Sequence, residues 1–322
     1  MMVCTHSGDR SRAGNLPNGK GLRLEGSSNS MKTMSTQSLV PHNATIQFDK
    51  VTYGVNGTPA QANISSGQMA IRVPDRRPVL VANITLNIAA GETVVLLGRS
   101  GSGKTTLLRL INRMLVPTAG KVLVQGRATT EWNPYKLRRS IGYVIQEAGL
   151  FPHFTVAENI ALVPTLEKWG AQKISARLAE LLKLVGLDSG DFASRYPRQL
   201  SGGQRQRVGV ARALAADPQI LLMDEPFGAL DPVTRGELQR EFAALAKRLG
   251  KTIVFVTHDL REALLLASRI VMLQDGKIVA VESPDDFLKH EHPEVQAFAE
   301  SLGQDLGTGP TGLAGSTAGK RG

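Results

Sequence analysis

The stretch TVVLLGRSGSGKTT, residues 93–106, decides the fold of this 322-residue chain. Its opening apolar run is typical of a central strand in a parallel sheet that is covered on both faces. The residues Gly98–Thr106 then match the pattern G-x-x-x-x-G-K-[ST], and Leu108, Ile111 and Leu115 follow at helical spacing. The sequence therefore predicts a strand, a phosphate-binding loop and an amphipathic helix in direct succession.

Each part of this loop has a chemical reason to bind a polyphosphate. The glycines let backbone N–H groups turn inward around the phosphates, and the helix N-terminus adds its partial positive charge. Lys104 supplies a full charge between the outer phosphates, and the Thr105 hydroxyl is suited to hold Mg²⁺. We expect the nucleotide to be bound by Gly98, Arg99, Ser100, Gly101, Ser102, Gly103, Lys104, Thr105 and Thr106.

A second apolar strand ends in two carboxylates. Residues 219–225 read QILLMDE, which brings Asp224 and Glu225 to the carboxyl edge of the predicted parallel sheet, where ligands of open α/β sheets bind. We expect Asp224 to reach Mg²⁺ through its water shell and Glu225 to orient and deprotonate an attacking water. Adjacent acids at a strand end also pair with surface arginines, and the residues alone leave that alternative open.

A third segment, LSGGQ at residues 200–204, opens a helix with a serine hydroxyl and two glycine N–H groups. Such a helix N-terminus is a phosphate-binding surface, although the same residues can serve only as a cap. One ATP does not need two such surfaces from the same chain. A head-to-tail dimer explains both, because each ATP then lies between the loop of one chain and the other chain's Ser201, Gly202, Gly203 and Gln204.

The rest of the chain predicts an α/β fold. Apolar runs such as TIVFVTH at residues 252–258 alternate with helical patterns, which indicates a mostly parallel central sheet. Two alternating runs at residues 46–53 and 84–88 precede this core and predict an N-terminal antiparallel β subdomain. Residues from about 147 to 215 are mostly helical in pattern and predict an inserted helical subdomain.

Local signals near the C-terminus predict two further features. Asp259 and Glu262 have the spacing of a capping box at the start of a helix. Asp275 and Gly276 lie between two short apolar runs and predict a tight hairpin turn.

Composition sets the limits of the ordered region. Residues 1–43 are rich in Ser, Gly, Asn and Arg and predict a disordered leader, within which Met31 or Met34 is an alternative translation start. Residues 44–302 form the predicted folded domain. Residues 303–322 are rich in Gly, Thr and Ser and predict a disordered tail.

Bulk properties exclude several classes of protein. The single cysteine, Cys4, has no partner for a disulfide, which favours a reducing compartment. No apolar run of about 18 residues and no secretory signal pattern occurs, so we expect a soluble, cytosolic chain. The net charge of +10 would suit an anionic partner, but aromatic residues make up only 5% of the chain and no basic block contains them. We therefore expect no binding to nucleic acid.

Taken in order, these motifs resemble those of the ATP-binding cassette (ABC) transporter ATPases over about residues 44–300. The resemblance implies a P-loop nucleoside-triphosphatase core that binds and hydrolyses Mg-ATP at a two-subunit interface. It implies the Walker A loop at Gly98–Thr106, the Q-loop glutamine at Gln146, which contacts the nucleotide and Mg²⁺, the signature at Ser201–Gln204, the Walker B aspartate at Asp224, the catalytic glutamate at Glu225, the D-loop with Asp231 and the switch histidine at His258. Tyr53 is the nearest candidate for stacking on adenine, and a core or surface tyrosine is an equal alternative.

The segment Leu137–Pro164 further resembles the Q-loop region of importer subunits, especially those for quaternary amines such as glycine betaine and choline. This resemblance implies a homodimer or a pair with a similar ATPase subunit, two membrane permease subunits and an extracytoplasmic solute-binding protein. It places the chain at the cytoplasmic face of the inner membrane. A soluble ABC-type ATPase acting on nucleic acid, or an importer for a polyamine, amino acid or other small solute, remains the alternative.

Overall fold

The computed structural model describes residues 44–54, 79–146 and 148–306. The predicted leader, the segment 55–78 and the chain beyond residue 306 lie outside the described residues. The strands are β1 (Ala44–Gly54), β2 (Val79–Ala89), β3 (Thr93–Leu97), β4 (Ala119–Val124), β5 (Arg127–Ala128), β6 (Ile141–Val144), β7 (Ile220–Asp224), β8 (Thr252–Thr257), β9 (Arg269–Gln274) and β10 (Lys277–Glu282). The helices are α1 (Lys104–Ile111), α2 (Pro134–Ser140), α3 (Val156–Leu166), α4 (Ala171–Leu184), α5 (Ser189–Phe192), α6 (Gly202–Leu214), α7 (Pro232–Leu249), α8 (Leu260–Leu266), α9 (Pro284–Phe287) and α10 (Pro293–Leu306).

A six-stranded sheet forms the centre of the fold, in the order β10-β9-β3-β8-β7-β6. Its strands pair in parallel from β9 to β6, and only β10 is antiparallel, as the second strand of a hairpin. The hairpin turns at Asp275 and Gly276, both with positive φ, as predicted. The predicted fold class is confirmed by this mostly parallel sheet.

The two faces of this sheet pack against different layers, which explains its continuous apolar strands. In β3, Val94 and Leu96 belong to one buried cluster, whereas Val95 and Leu97 belong to the other. Side chains alternate between the faces of a strand, so a strand covered on both faces needs an apolar residue at every position. Burial of each such side chain stabilises the fold by roughly 1.5–3 kcal/mol.

The second sheet is antiparallel and has the strand order β2-β1-β4-β5. Ile46 of β1 pairs with Ile88 of β2 on one side and with Val124 of β4 on the other. A register shift after Phe48 keeps Val51 on the buried face. The predicted antiparallel β subdomain is therefore present, and helix α1 lies buried in the cluster that this sheet shares with the central one.

Three local predictions need correction. Helix α1 ends at Ile111, with Asn112 as its C-cap, so Leu115 is not helical but packs half-buried behind the helix. Glu262 does not complete a capping box: Asp259 accepts from the Arg261 N–H, while the Glu262 side chain turns into the interior. Helix α10 continues to Leu306, four residues past the predicted domain end.

The region between the Gln146 turn and β7 holds the helices α3 to α6, of which α6 packs beside β6 and α3. Thr155 begins α3 with a complete capping box, and Ser201 begins α6 in the same way. Among the described residues, no helix combines the length and apolar character needed to span a membrane.

Candidate functional site

The loop between β3 and α1 presents backbone N–H groups beside a buried cation. Gly103, at φ 101°, precedes α1, and no side chain caps this helix. A Cβ at this glycine would lie 2.8 Å from the carbonyl oxygen of Leu80, so the close approach of β2 also requires glycine here. An uncapped helix N-terminus after a glycine-rich turn is a site for an anion.

Lys104 is the first residue of α1 and has only 4% of its surface exposed. Its Nζ donates to the carbonyl oxygens of Gly98 at 2.7 Å and Arg99 at 2.8 Å. Burial lowers the pKa of Lys104, while the charges of Glu225 and Asp224 raise it. The ammonium is thus buried beside the loop without a direct ion pair among the described residues.

Thr105 and Asp224 meet although they are far apart in sequence. The Thr105 hydroxyl donates to Asp224 Oδ1 at 2.9 Å, and the Tyr143 hydroxyl lies 3.4 Å from Asp224 Oδ2. Burial raises the pKa of Asp224, and the Thr105 hydrogen bond and the positive charge of Arg109 lower it. Burial and the charge of Asp224 raise the pKa of Tyr143 to about 12. A hydroxyl beside a carboxylate is a donor set that suits Mg²⁺.

Glu225 and His258 form the second contact between strand ends. His258 Nδ1 lies 3.3 Å from Glu225 Oε2; the histidine side chain is 60% exposed and that of Glu225 25%. Glu225 adopts φ 44°, and its N–H donates to the carbonyl of Val256 in β8. The backbone therefore holds the carboxylate beside the end of β8, where His258 follows.

Gln146, in the turn after β6, and Glu225 both lie close to Gly228. A Cβ placed on Gly228 would lie 3.9 Å from Glu225 Oε2 and 4.0 Å from Gln146 Nε2. The turn that continues from Gln146 is fastened to α6, because Arg212 donates to the carbonyls of Ala148 and Gly149, each at 2.8 Å. The burial of Arg212 lowers its pKa.

The LSGGQ segment, residues 200–204, lies at the N-terminus of α6 and not in the loop between β3 and α1. Ser201 accepts from the Gln204 N–H, and Gln204 Oε1 accepts from the Ser201 N–H, which makes both residues part of the α6 cap. A Cβ on Gly203 would lie 2.9 Å from Thr234 at the start of α7. Asp231, the N-cap of α7, has its pKa lowered by the hydrogen bond from Thr234.

The structure therefore brings together some of the predicted site residues and not others. Lys104, Thr105, Asp224, Glu225 and His258 assemble at the carboxyl ends of β3, β7 and β8. No hydrogen bond or ion pair among the described residues joins 201–204 to 98–106. Tyr53 is half-buried and packs against the cluster beneath β1, so its role toward adenine stays a prediction.

Sequence reasoning missed three residues around the site: Tyr143, Arg109 and Glu294. Arg109 lies one turn after Thr105 on α1, a spacing that could have indicated a shared helix face. Arg99 in the loop forms a 2.6 Å ion pair with Glu294 in the first turn of α10, 195 residues away. No sequence pattern predicts such a long-range pair.

These residues fit a Mg-nucleotide. The ammonium of Lys104, the uncapped N-terminus of α1 and the buried Ser102 hydroxyl, which has no hydrogen-bond partner among the described residues, match the anionic oxygens of a polyphosphate. The oxygens of Thr105 and Asp224 match the preference of Mg²⁺. The Glu225 carboxylate lies at the same edge of the sheet.

Residues 81–228 match the sequence model of the ABC transporter family. The chain is 53% identical over 225 residues to the choline transport ATP-binding protein OpuBA of Bacillus subtilis, covering 70% of this chain and 58% of that protein. It is 48% identical over 225 residues to the osmoprotectant import ATP-binding protein OsmV of Salmonella typhimurium, with coverage of 70% and 58%. The chain thus spans about three fifths of the length of these relatives.

Two solved structures are similar to this chain in fold. The dimeric, post-hydrolysis ATP-binding cassette MJ0796, bound to ADP and Pi, has a TM-score of 0.62 and 34% identity, over 74% of this chain and 98% of that one. The structure of cbiO1 from Clostridium perfringens, part of the ABC transporter complex cbiONQ, has a TM-score of 0.65 over 82% of this chain and 99% of that one, at 24% identity. The latter likeness concerns the fold alone.

Proposed function

The chain belongs to the ABC transporter family, and from this membership we propose that it is the ATP-hydrolysing subunit of an importer for quaternary amines. The observation that carries the proposal is the assembly of Lys104, Thr105, Asp224, Glu225 and His258 at one edge of the central sheet. The names of the relatives, which concern choline and osmoprotectants, support the substrate class. They favour an importer over an ATPase acting on nucleic acid.

In the proposed site, the loop Gly98–Thr106 surrounds the phosphates with N–H groups and Lys104 exchanges its two carbonyl partners for phosphate oxygens. Thr105, Asp224 and Gln146 would hold Mg²⁺, directly or through water. When bound, Mg²⁺ offsets the negative charge of the phosphates. These residues supply binding and orientation, which make up most of the catalysis of phosphoryl transfer.

Glu225 acts as the general base of the proposed reaction. Its carboxylate accepts a proton from water, the water oxygen attacks the terminal phosphorus, and the bond to the ADP oxygen breaks. His258 hydrogen-bonds the terminal phosphate and holds Glu225 and the attacking water in position beside it. The 3.3 Å approach of His258 Nδ1 to Glu225 Oε2 supports this assignment.

A second subunit completes the proposed site. Among the described residues, no hydrogen bond or ion pair joins residues 201–204 to residues 98–106, and the MJ0796 cassette is dimeric. Both observations support a head-to-tail dimer. Ser201, Gly202, Gly203 and Gln204 then bind the ATP held by the partner's loop, with Asp231 at the same interface. Permease subunits dock near Gln146, and a solute-binding protein delivers the amine from outside. This arrangement places the chain peripherally on the cytoplasmic face of the membrane.

The variant Glu225→Gln tests the proposal. The change removes the base and keeps the side-chain shape, so ATP turnover should fall by about a hundredfold or more while ATP binding remains. Because closure without hydrolysis traps the closed state, size-exclusion chromatography with ATP should show twice the monomer mass.

The surface variant Glu241→Gln makes the same chemical change on α7 in a side chain that pairs with Arg207, and it should hydrolyse ATP like the wild type. Hydrolysis by Glu225→Gln at the wild-type rate would refute the assignment of the base. Absence of ATP hydrolysis in the wild-type protein, assembled with its permease, would refute the proposed function as a whole.

A further inference from the structure

Glu262 is a buried carboxylate that the proposed chemistry does not use. Only 5% of the residue is exposed, and both of its oxygens are engaged. Oε2 accepts from the Thr257 hydroxyl, and Oε1 accepts from Gln239 Nε2 of α7 at 2.8 Å. Burial raises the pKa of Glu262, whereas these hydrogen bonds and the charge of Arg235 lower it. A buried acid that is fully hydrogen-bonded fixes the elements it joins, because releasing it would leave unpaired polar groups.

The Thr257 hydroxyl fixes the backbone on both sides of His258. It donates to Glu262 and accepts from the N–H of Asp259 at 3.0 Å, so a single side chain spans the histidine. Thr257 is itself buried at the end of β8, with 2% of its surface exposed. The carboxylate of Glu262 therefore determines the direction in which this hydroxyl points, and through it the turn that carries His258.

Arg235 holds the loop that follows Glu225. Its Nη2 donates to the carbonyl oxygens of Gly228 at 3.3 Å and Leu230 at 3.0 Å. Its Nε is buried and has no hydrogen-bond partner among the described residues. Arg235 therefore fastens the start of α7 to residues 228–230, and its positive charge lowers the pKa of Glu262.

We propose that Glu262 is a positioning residue that keeps His258 against Glu225 by orienting Thr257. The inference rests on the proposed function, because it concerns the rate of the same hydrolysis. Glu262 touches neither nucleotide nor water in this mechanism. It acts through His258, whose 3.3 Å approach to Glu225 Oε2 depends on the turn that the Thr257 hydroxyl holds at the end of β8.

Two near-isosteric variants test this role in the full-length protein. Glu262→Gln removes the charge, and Thr257→Val removes the hydroxyl; each should lower kcat by roughly ten- to a hundredfold through misplacement of His258, with little change in the affinity for ATP. Thr257→Ser restores the hydroxyl and should restore the rate. Glu241→Gln is the matched control on the protein surface and should match the wild type in kcat and in Tm.

A double-mutant comparison separates positioning from general stability. In single-turnover experiments, Glu262→Gln should slow the wild type but cause no further loss in a His258→Ala background, since its effect is carried by the histidine. A residue of purely structural importance would lower Tm and slow both backgrounds alike. Circular dichroism and Tm measurements on every variant identify any that fail to fold. If Glu262→Gln fails to fold, the comparison of Thr257→Ser with Thr257→Val tests the proposal instead.

The inference is overturned if folded Glu262→Gln retains the wild-type kcat, if it slows hydrolysis equally in the absence of His258, or if Thr257→Ser is as slow as Thr257→Val. These outcomes leave wild-type hydrolysis and its loss in Glu225→Gln intact. They are therefore distinguishable from failure of the proposed function, in which the wild type itself does not hydrolyse ATP.

Discussion

Lys104 shows how one residue couples burial to ligand binding. Its ammonium is almost fully buried and donates to two backbone carbonyls, Gly98 O and Arg99 O. A buried cation without a direct ion pair carries a desolvation cost, which is visible in its lowered pKa. An anionic oxygen would relieve that cost more effectively than a neutral carbonyl, because it adds the attraction between two full opposite charges.

We therefore expect Lys104→Ala to weaken ATP binding by roughly ten- to a hundredfold, which corresponds to the loss of about 1.5–3 kcal/mol for a hydrogen bond to a charged group. Hydrolysis should stop as well. Titration with a fluorescent ATP analogue measures the affinity. Lys136→Ala removes an exposed lysine from α2 and serves as the control. Unchanged binding by Lys104→Ala would mean that the nucleotide site lies elsewhere.

At the scale of secondary-structure elements, the N-terminus of α6 combines two roles. Ser201 and Gln204 form a complete capping box, the same device with which Thr155 and Glu158 begin α3. A capping box by itself does not indicate an ATP site. Helix α3 also begins with a capping box, and no phosphate-binding role is proposed for it. The two roles can be separated by charge, since aspartate caps a helix as well as serine does but repels a phosphate.

Ser201→Asp should accordingly keep the stability of the wild type within about 0.5 kcal/mol, because the cap is preserved. It should abolish ATP-dependent dimerisation, since a carboxylate would face the phosphates held by the partner. Thermal unfolding and size-exclusion chromatography with ATP measure the two effects. Thr155→Asp makes a comparable change at α3 and should dimerise normally. Normal dimerisation of Ser201→Asp would exclude residues 201–204 from the shared site.

At the scale of the whole molecule, the net charge of +10 is the feature that an importer subunit does not explain. A positive protein attracts nucleic acid through counterion release, an effect that weakens steeply with salt. The proposed importer function instead predicts that a membrane partner controls the reaction by favouring closure of the dimer.

We expect ATP hydrolysis to be slow in the isolated chain and faster in proteoliposomes that contain its permease and the loaded binding protein. Addition of duplex or single-stranded nucleic acid should leave the rate unchanged at low and at high salt. ATPase assays under these conditions compare the two hypotheses directly. Stimulation by nucleic acid alone, with none by the permease, would overturn the importer proposal.

The sequence by itself determined the elements and the chemistry of the loop. Continuous apolar runs indicated strands buried on both faces, and the fold class they predicted is confirmed by the central sheet. The pattern from Gly98 to Thr106 is local, since its glycines, lysine and helix start act within one turn of the backbone. Hairpin and capping signals near Asp275 and Ser201 are equally local, and the structure contains both features.

Only the tertiary structure decided which distant side chains meet. Thr105 reaches Asp224 across 119 residues, and Arg99 reaches Glu294 across 195, because packing of strands and helices places these positions side by side. Glu262 shows the limit of local inference most clearly: its spacing from Asp259 indicated a helix cap, but burial directs its carboxylate to Thr257 and Gln239 instead. A capping pattern specifies neighbours along the chain, whereas the partner of a buried charge is decided by whatever the fold brings within hydrogen-bonding distance.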